Sequence, residues 1–368
     1  MLNLIQQQKN KMEKEEETER CNENEESQII DEISNKLING DVITKTEAAR
    51  DMRSMIRNRN SCSGKIRVKF AGAGVIQPLV LMLSSQYHDA REASLLALLN
   101  LASRNERNKE QIVTCGAIPP LVKLLKFQDT SNLRELATAA ILTLSATPNN
   151  KPAIANSEAV SLLIQSLSCG TIQGKVDAVT ALYNLTTSKE EPTIVLDTSA
   201  ALPLINLLRE SRKYSKFADK IAALIELISK SEKGILAITE AEDGILTLVE
   251  TIEDGSLVST EHAVGTLLAL CMSSRSKYRE LILNEGAIPG LLRLTVYGTY
   301  KAQNKAKMLL NLLRNSSSEK RPCPFVLEEI VRDIAARIDG SGKTVKIVKK
   351  MLQDMVQRSI AKGSSCRP

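Results

Sequence analysis

One apolar pattern recurs six times along this chain, and the recurrence constrains the fold more than any other feature. The pattern begins at six markers that lie 42, 42, 41, 44 and 43 residues apart, namely Gly74, Gly116, Glu158, Ser199, Asp243 and Gly286. A second marker keeps the same phase in six further apolar blocks, at Asn100, Thr143, Asn184, Glu226, Ala269 and Asn311. Two markers that stay in register over six copies predict an array of stacked repeats.

The stretch from Asn105 to Ser145 shows what one unit contains. It predicts a short helix that ends at Gly116, a second helix that begins at Pro119 and Pro120, and a long third helix. Proline is favoured just inside a helix start because its missing N–H would be unpaired there, and glycine is favoured just past a helix end because it adopts the left-handed conformation. Three helices with a period near 42 residues are typical of the armadillo and HEAT classes.

The composition divides the chain into three parts. Residues 1–26 are polar and rich in glutamate, so we expect an acidic disordered segment. Residues 27–320 are predicted to form the array, in which an atypical opening repeat, residues 27–72, is followed by six full repeats. Residues 321–368 are predicted to contain capping helices and a short basic tail.

An amphipathic pattern runs through this last part. Five apolar side chains share one helical face, namely Val345, Val348, Leu352, Met355 and Val356. Lysines lie largely around this face. The pattern favours a helix that shields the last repeat. The alternative is a basic amphipathic helix for a membrane surface or a calmodulin-like partner.

An apolar stripe on each third helix is the predicted core. In the first full repeat the stripe contains Leu95, Leu98, Leu99 and Ala102, and we expect Leu142 to be a core residue of the second. Each unit can bury such a stripe only against its neighbours, so we expect the repeats to share their stability.

Charge and hydropathy argue against two classes of function. No run of about eighteen or more apolar residues predicts a membrane span. The net charge is +6, but residues 1–30 contain eight Glu against four Lys or Arg, and residues 341–368 contain seven Lys or Arg against one Asp. The body of the array is therefore weakly basic, which argues against a nucleic-acid-binding face.

Cysteine usage and the first thirty residues indicate the compartment. Those residues lack the apolar core and cleavage site of a signal peptide. The seven cysteines are odd in number and scattered, without a Cys-x-x-Cys pair, as is typical of reduced thiols. We expect a cytoplasmic or nuclear protein without integral membrane association.

The candidate motifs for catalysis, metal binding and cofactor binding lack the neighbouring residues that such sites require. The segment GSGKT, residues 340–344, is similar to part of a phosphate-binding loop, but Arg337 replaces the required first glycine and a helical pattern precedes it instead of a strand. The two histidines, His88 and His262, lack a metal-type spacing with cysteine or with each other. We therefore predict no enzyme activity, no cofactor, no metal site and no small-molecule substrate.

Four blocks carry a family resemblance: EASLLALLNLAS from Glu92, GAIPPLVKLL from Gly116, VDAVTALYNLT from Val176 and NEGAIPGLLRL from Asn284. They resemble armadillo repeats, in particular those of plant U-box ubiquitin ligases and of relatives that carry repeats only. The resemblance covers roughly residues 27–320, and the sequence before Ser27 does not match the Cys-Pro-Ile and Gly-x-Thr-Tyr segments of a U-box. It implies an all-α fold, an armadillo-type right-handed superhelical solenoid of three-helix repeats that binds proteins.

The third helices are predicted to line a concave groove. Positions four and seven before each second marker lie within about 40° of it on the helix, so they share its face. The predicted partner-binding residues, called the groove residues below, are Asn100, Thr143, Asp177, Asn184, Asp219, Glu226, His262, Asn304, Lys307 and Asn311. Arg91, Arg134 and Lys175 lie about half a turn away, and we expect their stems to pack over neighbouring helices.

The groove residues suggest the chemistry of the partner. In the first two repeats the positions four and seven before the second markers are apolar, namely Leu96, Ala93, Ala139 and Leu136, whereas the middle of the groove is acidic. This predicts an extended protein segment with apolar residues near the first two repeats and a Lys or Arg opposite Asp177, Asp219 and Glu226. The alternative is that these acidic residues only keep a solvated surface soluble. Armadillo import receptors resemble one another in a Trp four residues before the groove Asn. This chain contains no Trp, which argues against a nuclear-import receptor.

Two functions follow from these observations. The leading hypothesis is a non-enzymatic scaffold that binds an extended partner segment along the groove. The alternative is a component or substrate adaptor of a ubiquitin-ligase system, without its own U-box.

Overall fold

Helices form every regular element of the described residues, which are 24–58, 63–127, 132–187 and 196–314 of this computed structural model. The chain divides into two compact units, residues 1–195 and residues 196–368. The predicted capping helices and basic tail, residues 321–368, lie outside the described residues. Most of the predicted acidic segment does too, but residues 24–26 belong to the first helix, where Glu26 pairs with Lys69 at 3.2 Å.

The first unit contains eleven described helices. They are α1 over residues 24–39, α2 Val42–Asn58, α3 Ser63–Gly72, α4 Ile76–Met82, α5 His88–Ala102, α6 Glu106–Thr114, α7 Ile118–Leu125, α8 Leu133–Ser145, α9 Lys151–Ala155, α10 Ala159–Cys169 and α11 Ile172–Thr186. A 3₁₀ turn, Pro148–Asn150, precedes α9. The third helices of its full repeats are α5, α8 and α11.

The second unit contains eight described helices. They are α12 Ala201–Glu210, α13 Lys216–Ile228, α14 Glu232–Glu240, α15 Gly244–Asp254, α16 Leu257–Ser273, α17 Arg275–Asn284, α18 Ile288–Tyr297 and α19 Tyr300–Leu313. A 3₁₀ turn, Thr198–Ala200, precedes α12. Its third helices are α13, α16 and α19, and each of the six second markers lies in the last turns of a third helix, as predicted.

The turn at Gly116 separates the first two helices of its repeat, as predicted. Gly116 has φ +83° and donates its N–H to Val113 O at 2.9 Å, while Ala117 N donates to Ile112 O at 3.3 Å. These two hydrogen bonds satisfy carbonyl groups that the end of α6 leaves unpaired. The left-handed conformation of residue 116 favours glycine, which has no Cβ. Pro119 and Pro120 lie in the first turn of α7.

The core lies where third helices pack on one another. In the first unit α5 packs against α2 and α8, and α8 packs against α11; in the second, α16 packs against α13 and α19. Leu95, Leu98 and Ala102 are buried as predicted, with exposed fractions of 0%, 4% and 2%.

Two of the predicted core residues, Leu99 and Leu142, are only half-buried. The residue of α8 that matches Leu98 is Ile141, which is fully buried. Leu99 and Leu142 occupy the same position of their repeats, one residue and about 100° around the helix from the buried position of Leu98 and Ile141. The predicted stripe therefore extended one position too far around the helix.

Two buried asparagines tie successive repeats together. Asn108 Nδ2 donates to Leu101 O at 3.0 Å and to Arg67 O at 3.4 Å, and Asn150 Nδ2 donates to Leu144 O and Lys109 O, both at 3.2 Å. Each side chain therefore bridges the first and third helices of the preceding repeat.

Candidate partner-binding surface

The groove residues of the first unit lie on α5, α8 and α11 and are half-buried: Asn100, Thr143, Asp177 and Asn184. Asn100 Nδ2 donates to Leu96 O at 2.8 Å within its own helix. Asn184 Nδ2 reaches across to Ser145 Oγ of the preceding third helix at 3.2 Å. A carboxamide has two N–H donors and one carbonyl acceptor, so each side chain retains capacity to hydrogen-bond a partner.

Asp177 is the acidic groove residue of the first unit. Its Oδ1 accepts a hydrogen bond from Gln173 Nε2 at 2.8 Å. Burial raises the pKa of the Asp177 carboxyl; the Gln173 hydrogen bond lowers it, but the negative charge of Glu135 on α8 raises it further. Within the described part of the first unit, Asp177 forms no ion pair. A cation at this position would therefore be favourable.

Asp219 in the second unit has a structural partner. Ser256 Oγ donates to Asp219 Oδ1 at 2.5 Å and accepts from Val258 N and Ser259 N, both at 3.1 Å. Ser256 is the N-cap of α16, so the Asp219 carboxylate supports a helix start on the next repeat.

Glu226 is held by two side chains from later repeats. Its Oε2 lies 2.6 Å from His262 Nδ1 on α16, and its Oε1 lies 2.6 Å from Lys305 Nζ on α19. Lys305 Nζ also donates to Glu261 O at 3.2 Å. We call Glu226, His262 and Lys305 the ion cluster; their side chains are 22%, 25% and 26% exposed. The predicted acidic middle is therefore already partly neutralised by the chain itself.

The ion cluster lowers the pKa of Glu226. Burial alone would raise this pKa, but hydrogen bonds from His262 and Lys305 and their charges together outweigh it. A lowered folded-state pKa stabilises the protein above the unfolded value, 4.5 for glutamate, and the contribution is lost as the pH falls through the folded value.

We therefore predict that Glu226→Gln reduces the acid sensitivity of the protein. The variant should lose about 1 to 2 kcal/mol near pH 7, and this difference from wild type should shrink below pH 4.5. Urea unfolding at pH 7 and pH 4 measures both values. Glu240→Gln, on the exposed surface of α14, is the matched control and should keep the wild-type dependence. An unchanged acid dependence in Glu226→Gln would contradict the assigned pairing.

The groove residues of the last repeat, Asn304, Lys307 and Asn311, are exposed on α19. The corresponding residues of α16, seven and four positions before its second marker Ala269, are less accessible. His262 belongs to the ion cluster, and Gly265 is buried beneath the Glu226 carboxylate.

Two of the three basic side chains half a turn away, Arg91 and Arg134, lie over neighbouring second helices, as expected. The Arg91 guanidinium lies 5.0 Å from the centroid of the Phe127 ring, just after α7. Arg134 Nη2 donates to Ser166 Oγ at 3.2 Å and contacts Cys169 Sγ at 3.3 Å on α10. These contacts direct both guanidinium groups away from the second markers.

Sequence reasoning missed Lys305 as the partner of Glu226. The two residues are 79 apart in sequence, so no local pattern joins them. One signal was present: among the positions four before the second markers, 265 alone is glycine, and this gap marks where another side chain lies across the helix.

Neither a metal site nor a membrane span appears in the described ranges. Over these residues no group of three or more His, Cys, Asp or Glu side chains could hold a metal ion. The same part of the chain has no helix long and apolar enough to cross a membrane.

Comparisons with known proteins agree with this architecture. The family model for the Armadillo/beta-catenin-like repeat matches residues 105–146. U-box domain-containing protein 45 of Arabidopsis thaliana is 31% identical over 255 residues, 67% of this chain and 32% of the relative. U-box domain-containing protein 17 of the same plant is 33% identical over 285 residues, 76% of this chain and 37% of the relative. The chain thus spans about a third of the length of these two curated relatives.

Solved structures show the same fold. A structure from work on a phosphorylation switch that controls the interaction between cadherin and beta-catenin matches with a TM-score of 0.66 and 16% identity. The match covers 88% of this chain and 63% of that one. An engineered protein from a structural genomics consortium matches with a TM-score of 0.61 and 21% identity, over 87% of this chain and 76% of that one. The chain is an armadillo-repeat protein whose repeats resemble those of plant U-box domain-containing proteins.

Proposed function

We propose that the chain is a non-enzymatic scaffold of the cytoplasm or nucleus that binds an extended protein segment along its groove residues. The observation that carries this is the recurrence, from one third helix to the next, of half-buried polar side chains that can bond to an extended backbone. Asn100 and Asn184 are the clearest, because each retains one N–H donor and its carbonyl acceptor. Stacked helical repeats present such residues at regular intervals, which suits a partner without compact structure.

The geometry refines where a basic residue of the partner would bind. Asp177 is partly buried and forms no ion pair among the described residues, whereas Asp219 supports a helix cap and Glu226 is paired with Lys305. Burying a charge without a partner is unfavourable, and a ligand cation would relieve this at Asp177. We therefore assign the Lys or Arg of the partner to Asp177.

The test begins with affinity purification and mass spectrometry from native tissue to obtain a partner segment. Asp177→Lys should then weaken its binding at least about tenfold, because a favourable contact becomes a like-charge contact. Titration calorimetry with the purified segment measures the change. Glu106→Lys, an exposed charge reversal on α6 of the same unit, is the matched control and should bind within about twofold of wild type.

The opposite face provides the decisive comparison. Arg91→Gln removes the guanidinium that lies over Phe127 and should leave affinity nearly unchanged. If Arg91→Gln loses the segment while Asp177→Lys binds normally, the binding surface lies on the other side of the third helices and the proposal is wrong.

The second candidate is a role in a ubiquitin-ligase system, favoured by the names of the relatives. In this case the repeats would present a substrate or join a separate ligase. A reaction with purified E1, E2, ubiquitin and this chain alone should then give no ubiquitin conjugates, and adding a ligase that binds the chain should give them. Conjugates formed without an added ligase would show an activity of the chain's own and would overturn the non-enzymatic proposal.

A further inference from the structure

The ion cluster crosses three successive third helices of the second unit. Lys305 begins on α19, passes over α16 and ends 2.6 Å from Glu226 Oε1 on α13. His262, on the intervening helix, contacts the other carboxylate oxygen at 2.6 Å. An ammonium from this chain therefore lies beside Glu226, at a position that a cation of a partner would otherwise occupy.

Gly265 makes this arrangement possible. A Cβ added at this residue would lie 2.6 Å from Glu226 Cδ and 2.8 Å from Lys305 Nζ, too close for both side chains to remain. The helix surface beneath the carboxylate is thus open only because residue 265 has no side chain. The contact between Glu226 and Lys305 lies against α16 and is only partly exposed to solvent.

We propose that Lys305 is a built-in occupant of a cation-binding position formed by Glu226 and His262, and thereby sets the specificity of the groove in the second unit. The inference rests on the proposed function. While Lys305 is in place, a partner residue that meets this position is neutral, because an additional Lys or Arg would face an acid that is already paired. The basic residue of the partner is confined to the first unit.

Lys305 competes with any cation of a partner for the Glu226 carboxylate, and two properties favour Lys305. Its ammonium is tethered a short distance from Glu226, so its effective concentration is high compared with that of a dilute dissolved partner. The ammonium also keeps a second acceptor, Glu261 O at 3.2 Å. Removal of the ammonium leaves Glu226 partly buried with His262 alone, and the position then accepts an external cation.

The experiment uses a fluorescein-labelled octalysine peptide, followed by fluorescence anisotropy at low salt. Lys305→Met should bind this probe about tenfold more tightly than Lys301→Met. Lys301 is exposed on the same helix, so the two variants have the same net charge and binding of the probe at Asp177 contributes equally to both. Lys305→Arg keeps a cation and should bind like wild type, and the double variant Glu226→Gln, Lys305→Met, which has the wild-type net charge, should also bind like wild type.

Equal affinities of Lys305→Met and Lys301→Met for octalysine overturn the inference. This outcome does not touch the proposed function, which is decided by Asp177 and the natural partner segment. A second measurement does not require that Lys305→Met folds: amine labelling followed by mass spectrometry. Lys305 should react more slowly than Lys301 in the wild-type chain and should approach its rate in Glu226→Gln. If Lys305 reacts as fast as Lys301 in the wild type, the ammonium is not held and the inference is also wrong.

Discussion

Ile141→Asp should unfold the repeats around α8, with a loss of stability of about 4 kcal/mol or more. Ile141 is fully buried on a helix that packs against α5 and α11, so the new carboxylate would be shielded from water. An uncompensated buried charge costs about 3 to 5 kcal/mol, and the lost apolar side chain adds to this. Because neighbouring repeats share their interfaces, the damage should extend beyond one repeat.

The adjacent residue is a matched control. Leu142 is half-buried, so an aspartate there can reach solvent, and Leu142→Asp should cost much less than Ile141→Asp. Leu98→Asp, at the matching position on α5, should behave like Ile141→Asp because Leu98 is only 4% exposed. Circular dichroism during thermal and urea unfolding measures all three variants. A larger loss in Leu142→Asp than in Ile141→Asp would show that the rotational register of the third helices is wrong.

The period of the repeats was predictable because it depends on local chemistry. Gly116 must adopt a left-handed conformation and Pro119 and Pro120 must begin a helix, and both constraints act within a few residues. Helix rotation was less predictable. On α8 the apolar residues Ile141 and Leu142 are adjacent, and the apolar pattern alone does not decide which one faces the neighbouring repeats.

The groove chemistry depended on longer-range contacts. The sequence places Glu226 in phase with Asn184, but it cannot show that Lys305 crosses a helix to reach it. Counting acidic residues along the groove therefore overestimated the charge available to a partner. Asp177 and Glu226 are both acidic groove residues in the sequence, but in the structure only Glu226 forms an ion pair among the described residues.

The asparagine bridge between repeats was also missed, although its signal recurs in the sequence. Asn108 and Asn150 are 42 residues apart, the period of the repeat, and each lies beside a lysine near the start of a first helix. Asparagine in a polar segment suggests a solvated turn, whereas here both side chains are 2% exposed. Repetition of a polar residue in phase with the core is thus a sign of a structural hydrogen bond.

Asn150→Asp should destabilise the first unit by about 3 kcal/mol or more, although it barely changes the size of the side chain. The Asn150 Nδ2 group lies 3.2 Å from two carbonyl oxygens, Leu144 O and Lys109 O. A carboxylate places a negatively charged acceptor where a donor is required, so two favourable contacts become repulsive. The effect should greatly exceed that of Asn149→Asp, because Asn149 is exposed and bonds only to Glu110 Oε1 among the described residues, at 2.7 Å.

The pH dependence of this variant separates the bridge from a simple packing defect. Burial beside carbonyl oxygens raises the pKa of a carboxyl, so the folded state of Asn150→Asp should bind its proton at a higher pH than the unfolded chain. The neutral acid recovers one O–H donor, so the stability deficit relative to wild type should shrink as the pH falls from 7 towards about 5. Urea unfolding across this range measures it. A deficit that stays constant with pH, or one no larger than that of Asn149→Asp, would mean that Asn150 does not bridge the repeats through its donor.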